Sequence, residues 1–433
     1  MKTIRIFLII LFLSSYFLRQ AGTEEVLTWE DCLAEAKKNH PDLISAEEFI
    51  SEKKAAKDIA ASSLYPQVDA DFNTSISMTK STNTLTGITT KEAHDSYSYG
   101  VSGSQTLFDG FKTSNEVKAA AENINAASQA YRFTSSEVRF DLRSAFIDLL
   151  KVQELIKVAQ DIVKIRRDNL ELITLQYHSG LEHKGALLTA EANTAQAKFE
   201  LSQAKRDLES AQRQLTKEMG RKEFTSVSVK GDFEVGDSVA KKPDFEELAE
   251  NNPSLLQATA AKNAAAFNIR TAYADFIPRI LGQINASKDD SRWPPRDRQM
   301  NLGLSVSMPL FEGGLRNAQV SQAQARYNQA EADERSIRDG IVVSLQQAWV
   351  SLQDAIEQVN VQRKTLEAVQ ERSKIAQAQY STGFIGFDNW IIIENDLVNA
   401  KKSYLQAQAN ALLAEAKWIQ AKGETLEYAQ GKN

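Results

Sequence analysis

The chain has 433 residues, room for two or three domains of ordinary size. Its formal charge of −6 and pI of about 5.6 give no reason to expect nucleic-acid binding, which needs a basic patch. A mean hydropathy of −0.38 excludes a helical membrane protein, and abundant alanine, glutamine, glutamate and lysine suit long helices.

Lys2 and Arg5 precede an apolar run from Ile6 to Leu13 that continues weakly to Leu18. This reads as a secretory signal peptide over residues 1–22, too short to span a bilayer well. Cleavage is expected near Ala21 to Thr23, although Arg19 is a poor fit to the small-residue rule. Loss of Lys2, Arg5 and Arg19 would take the formal charge from −6 to −9. Cys32 is the single cysteine and cannot form an internal disulfide. It follows Trp29-Glu30-Asp31, not the small residues of a lipidation site, and is expected to be a buried helix residue.

The first half, residues 23–232, opens with a short helix after Pro41. From Gln67 to Met78, Val68, Ala70, Phe72, Thr74, Ile76 and Met78 alternate with polar residues, the period of a half-buried strand. Tyr97, Tyr99, Val101 and Leu107 alternate with small residues. The spacing predicts a hairpin over 67–109 with a polar loop from Thr79 to Asp95, then a long helix over 112–178 and a second over 186–219. Ser226 to Val235 suggests a small strand. The second half, residues 233–433, repeats the plan: helix 254–276, hairpin 279–311 with a loop from Lys288 to Gln299, long helix 315–381 and helix 388–422. The long helices carry helical apolar spacing, as in Leu142, Phe146, Leu149 and Ile156, and in Val342, Leu345, Trp349, Leu352 and Ile356.

The punctuation repeats too. No proline falls between Gln67 and Lys242 or after Pro309, which leaves room for long helices. "LFDG" at Leu107 recurs as "LFEG" at Leu310, 203 residues later, and "QYHSG" at Gln176 recurs as "QYSTG" at Gln379, again 203 later. Upstream, "NHPDL" at Asn39 and "LYPQV" at Leu64 recur 212 residues later as "NNPSL" and "FIPRI". The chain therefore reads as a tandem duplication whose hairpin segment is nine residues shorter in the second copy.

Strands with one apolar and one polar face cover a soluble core or line a membrane barrel. Four cannot close a barrel, and open edges are forbidden in lipid, so a membrane location requires several chains in one barrel. Three chains would supply about twelve strands.

In this order and spacing, "LTWEDCLAEAKKNHPDL", "LYPQV", "LFDG", "LFEGG", "QYHSG", "QYSTG" and "ENDLVNAKKSYL" closely resemble the outer-membrane factors of the TolC family. The resemblance spans essentially all of the mature chain. It implies an α+β membrane protein: a homotrimer sharing a twelve-stranded outer-membrane β-barrel, four strands per chain, above a long α-helical coiled-coil barrel in the periplasm. It implies passive export, with a periplasmic adaptor (membrane fusion protein) at the tip and an inner-membrane pump of RND or ABC type beyond it. Outer-membrane lipid is the other partner; nucleic acid is not one.

Gly110, Gly313 and Gly314 stand where strand turns into helix. Gly180 and Gly383 end the long helices, and with Leu181, Glu182 and Phe384 they form the expected adaptor-docking tips. Tyr380 matches the family tyrosine three residues before the glycine. The usual entrance aspartates are absent: their places hold Asn389 and Ile392. Either Asp388 substitutes one residue early, or Trp390 and Ile391 make an apolar constriction that gates by dewetting. His178 and His183 flank the first tip without the carboxylates of a metal motif, so no metal site is expected. "RWPPR" at Arg292 reads as an external loop, with Trp293 a candidate interface anchor. No nucleophile elbow, phosphate loop or zinc pattern appears, so neither an enzyme nor a cofactor is expected. Within the export reading, efflux competes with type I protein secretion; a non-pore periplasmic coiled-coil protein is the alternative from another class.

Overall fold

The computed structural model describes residues 25–82, 85, 87–233 and 242–427. The expected signal peptide and its cleavage region lie outside the described residues, as does the end of the strand expected over 226–235. The fold is α+β. Strand β1 (Glu25–Leu27) leads into α1 (Trp29–Asn39) and α2 (Pro41–Ser62). Then come β2 (Gln67–Thr82), β3 (Thr89–Phe108), α3 (Lys112–His178), α4 (Lys184–Glu218) and β4 (Val227–Val229). After α5 (Phe245–Glu250), the order repeats as α6 (Pro253–Ala274), β5 (Arg279–Asp290), β6 (Asp297–Ser307), α7 (Leu315–Ser381) and α8 (Phe387–Ala421). At 67 residues each, α3 and α7 are about 100 Å long at the α-helical rise. Among the described residues no helix is long and apolar enough to cross a membrane.

The chain divides into two compact units that cut across the two sequence copies. One comprises 46–131 and 250–340 and holds the four-stranded antiparallel sheet, in the order β2-β3-β5-β6. Its register sorts the side chains. Phe72 pairs with Tyr99, Val101 with Ala286, and Ile284 with Leu302, so one face is apolar from edge to edge. The other face carries Asp69, Asp71, Asn73, Ser102, Asn285 and Asn301. Most of the apolar face is uncovered among the described residues of this unit: Met78 is 85% and Leu302 84% exposed. The edge strands β2 and β6 leave a row of backbone groups without a ladder partner. The two expected loops are shortened by pairing as far as Thr82–Thr89 and Asp289–Asp297, because polar rows such as Lys80–Lys91 and Lys288–Arg298 continue the ladder. The first hairpin exceeds the second in strand length, with strands of 16 and 20 residues against 12 and 11.

At the end of β3, Gly110 has φ +69 and lies against α6, where a Cβ would stand 2.7 Å from that of Ile277. Phe111 follows with φ 67; the corresponding pair in the second copy, Gly313 and Gly314, has φ 60 and 87. Both copies thus use two successive left-handed residues to turn strand into helix, and only the first copy places a side chain at the second of them. Asp109 caps α3, accepting from the Thr113 N–H at 2.9 Å.

The other unit comprises 25–45, 132–249 and 341–427 of the described residues. Its core follows the helical apolar stripes: Leu142, Phe146 and Leu149 of α3 and Leu345 and Leu352 of α7 are buried. Leu345 and Leu352 pack with Phe245 and Trp418, and Ile147 packs with Ala409, Leu412 and Ala416 of α8. Strand β1 pairs in parallel with β4. Thr28 and Asp31 form a capping box at α1, and Cys32 behind them is fully buried.

Candidate functional site at the paired helical turns

The turns between α3 and α4 and between α7 and α8 close in the same way. Leu181 N–H donates to the Gln176 carbonyl at 2.9 Å and Gly180 N–H to that of Tyr177 at 3.1 Å. Phe384 and Gly383 repeat the pattern on Gln379 and Tyr380, at 2.8 and 3.0 Å. These are Schellman closures, and each needs a left-handed residue, supplied by Gly180 (φ +74) and Gly383 (φ +78). In such closures the residue after the glycine often folds back onto the helix. Here it does not: Leu181 is 76% and Phe384 83% exposed. Each turn therefore presents one large apolar side chain to solvent.

Behind the turns the helices are joined in two layers. The first is apolar and aromatic: Ile173, Ala186, Ala190, Ala376, Tyr380, Phe387, Trp390 and Ile391 form one buried cluster. Tyr380 and Trp390 stack face to face, with centroids 4.3 Å apart and planes 9° from parallel. The Tyr380 hydroxyl donates to Glu182 Oε1 at 3.0 Å, which links the two turns directly. Burial, reinforced by this bond to a carboxylate, pushes the Tyr380 phenol above its ordinary range.

This geometry corrects the apolar-constriction expectation. Trp390 is 0% and Ile391 9% exposed, so both belong to the protomer's core and neither offers a side chain to a passage. The exposed residues of that stretch are Asp388, Asn389 and Ile392. The physical reason is the helix period. Phe387, Trp390, Ile391, Glu394, Leu397 and Val398 recur at three- and four-residue steps and share one buried stripe.

The second layer is polar and was not anticipated. Glu394 sits within that buried stripe and accepts from Ser373 Oγ at 2.6 Å and Asn169 Nδ2 at 3.3 Å. Arg166 donates to Asn395 Oδ1 at 2.5 Å, and its own carbonyl accepts from Thr194 Oγ1 at 3.1 Å. Burial lowers the Arg166 guanidinium pKa, and the charges of Glu394 and Glu200 oppose that shift. A carboxylate in the middle of an apolar repeat was the sequence signal for this layer. His183 is accounted for structurally: it caps α4, its Nδ1 accepting from the Ala186 N–H at 3.1 Å. No cluster of His, Cys, Asp and Glu fit to hold a metal occurs among the described residues.

The profile of the family described as outer membrane efflux protein matches residues 32–221 and 245–429, most of the chain in two blocks. The chain belongs to the outer membrane efflux protein family. The outer membrane efflux protein BepC of Brucella suis is 23% identical over 93% of this chain and 86% of its own. The alkaline protease secretion protein AprF of Pseudomonas aeruginosa is 26% identical over 66% of this chain and 62% of its own. The solved structure of CusC, the Escherichia coli cation efflux system protein, superposes with a TM-score of 0.81 at 18% identity, covering 94% of this chain and 95% of that one. As an outer membrane efflux protein, the chain works in transport at the outer membrane. The family match covers both halves of the chain and both helical turns.

Proposed function

We propose that the chain is the outer-membrane conduit of a tripartite export system, working as a homotrimer. The observation that carries this is the sheet: four strands, apolar on one face and polar on the other, with both edges unpaired. Lipid tolerates no such edges, so each edge must meet another copy. Three copies give a barrel of about twelve strands, within the range known for outer-membrane barrels. Their apolar faces meet lipid and their polar faces meet the passage.

The paired turns are then the periplasmic entrance. Leu181 and Phe384 are the apolar contacts for the hairpins of a periplasmic adaptor, which connects the conduit to an inner-membrane pump. The Tyr380–Glu182 bond holds the two turns of one protomer together, and breaking it releases them. Asp388, exposed beside Asn389, is a charged group at the entrance. The pump selects the cargo, consistent with BepC bearing an efflux name and AprF a secretion name.

Two measurements test this. Unheated electrophoresis of outer-membrane fractions should show a heat-labile trimer; a monomer in the soluble periplasm would overturn the proposal. A photo-crosslinker placed at Phe384 should capture a protein with an inner-membrane anchor and a helical hairpin. Trimers that capture no such partner would refute the docking assignment.

A further inference from the structure

At the turn end of the second hairpin, Lys288 of β5 and Arg298 of β6 are directly opposed in the ladder, level with Phe72 and Tyr99, while β2 and β3 pair on to Thr82 and Thr89. Both stand on the apolar face, in the row of Phe72 and Tyr99. Two like charges side by side on a sheet repel, and on a face bordering lipid they also lose hydration. Neither forms an ion pair among the described residues; Lys288 only approaches the Tyr99 ring, at 6.0 Å. The neighbouring carboxylate, Asp290, accepts from the Arg292 N–H at 3.2 Å and from Ser291 Oγ at 3.4 Å. Arg292 and Arg296 add two exposed cations from the adjoining turn.

Aromatic rings mark the same level. Trp293 folds from the turn onto the apolar face and meets Phe72 at 5.7 Å, Tyr97 at 6.2 Å and Tyr99 at 6.5 Å, edge to face. Such a cluster is at home where hydrocarbon gives way to headgroups. Between the rings and the basic pair lies an open groove of about 630 Å³, lined on its apolar side by Ala70, Tyr99, Val101, Ala286 and Met300. Cations at the rim and hydrocarbon below match a ligand with phosphate at one end and acyl chains at the other.

We propose that this groove binds a phosphorylated acyl lipid of the outer leaflet, with Lys288 and Arg298 clamping its phosphate and the groove seating an acyl chain. The inference rests on the outer-membrane reading above, which puts this end of the sheet on the external side.

The test is native mass spectrometry of the detergent-purified trimer, titrated with bisphosphorylated hexa-acyl lipid A, the same lipid with its phosphates removed, and inorganic phosphate. The bisphosphorylated lipid should bind, the dephosphorylated one markedly less, and millimolar inorganic phosphate should not displace it. The double variant Lys288→Gln/Arg298→Gln should bind it roughly twenty-five-fold more weakly, at about fivefold per basic residue. Arg279→Gln, at the other end of β5, should bind as the unaltered protein does. Undiminished binding by the double variant, equal binding of the two lipids, or displacement by inorganic phosphate would each overturn the assignment while leaving the trimeric conduit intact. Failure to recover any trimer from the outer membrane would instead overturn the conduit reading, and this inference with it.

Discussion

The Tyr380–Glu182 bond is the contact whose removal should be felt most directly at the proposed entrance. Tyr380→Phe removes one hydroxyl and keeps the ring that stacks on Trp390. The lost bond has a charged acceptor, but Glu182 is half-exposed, so its net worth is near the low end for such bonds, about 1.5 kcal/mol. That is roughly tenfold in the ratio of separated to joined turns in each protomer. In planar bilayers, Tyr380→Phe trimers should spend correspondingly more time in their higher-conductance state. Glu182→Gln, which keeps an uncharged acceptor, should act more weakly in the same direction, and the double variant should do no more than the stronger single, because both act on one bond. Additive effects, or an unchanged Tyr380→Phe channel beside an altered Glu182→Gln one, would refute the latch. The pH dependence has a definite sign. The folded Tyr380 phenol is raised, so its contribution is whole below the ordinary tyrosine value of about 10 and declines only as pH rises beyond it. Between pH 7 and 9 this bond should leave conductance flat.

Other outcomes follow from single contacts. Leu181→Asp with Phe384→Asp should abolish export while leaving the trimer's electrophoretic mobility unchanged, since both side chains are exposed and support no packing. Glu394→Ala should lower the melting temperature of the trimer band by the equivalent of about 1–3 kcal/mol per protomer, because the buried Ser373 hydroxyl and Asn169 amide lose their acceptor. Gly220→Ala should be worse than Gly180→Ala in the same assay. Gly220 has φ +75 and a Cβ there would stand 2.4 Å from the Asn39 carbonyl oxygen, whereas Gly180 has nothing within 4 Å and loses only about 1 kcal/mol for its left-handed backbone. Burial pushes the Cys32 thiol up to about 12, so at pH 8 it should resist maleimide in the folded protein and react promptly once denatured.

Much of this architecture was legible in the residues because it rests on period and punctuation. The alternation from Val68 to Met78 is a strand pattern whatever surrounds it, and Gly180 and Gly383 stop helices for a local reason, their left-handed backbone. The loops were overdrawn because apolar alternation fades before pairing does: Lys80–Lys91 and Lys288–Arg298 are ladder rows built from polar residues. The break between α1 and α2 at His40 was available in the capping box of Thr28 and Asp31 and in Pro41 opening the next helix, but the pairing of β1 with β4 joins three-residue strands about 200 positions apart and leaves no periodic trace. The buried face of α8 was hidden for another reason. The run from Trp390 to Ile393 is apolar on every side, so it does not reveal which residues face the core; that face appears only when the step from Phe387 is carried through Glu394 to Val398.

Two kinds of joint hold the helices together behind the paired turns. An apolar stripe alone would hold α7 and α8 against α3 and α4 with little preference for register. The buried layer reduces that freedom: Glu394 accepts from Ser373 and Asn169, and Arg166 reaches Asn395 through one terminal nitrogen, the other having no hydrogen-bond partner among the described residues. Such a layer adds little net stability over well-packed hydrocarbon, but a slip of one turn would strand a charge in the interior. The Tyr380–Glu182 bond differs in that Glu182 is half-exposed and lies one residue from the protruding Leu181. A partner seated on Leu181 and Phe384 can exchange that bond for its own contacts without uncovering Glu394. The register of the four helices is therefore fixed behind the turns, and the bond between the turns is the one within a partner's reach.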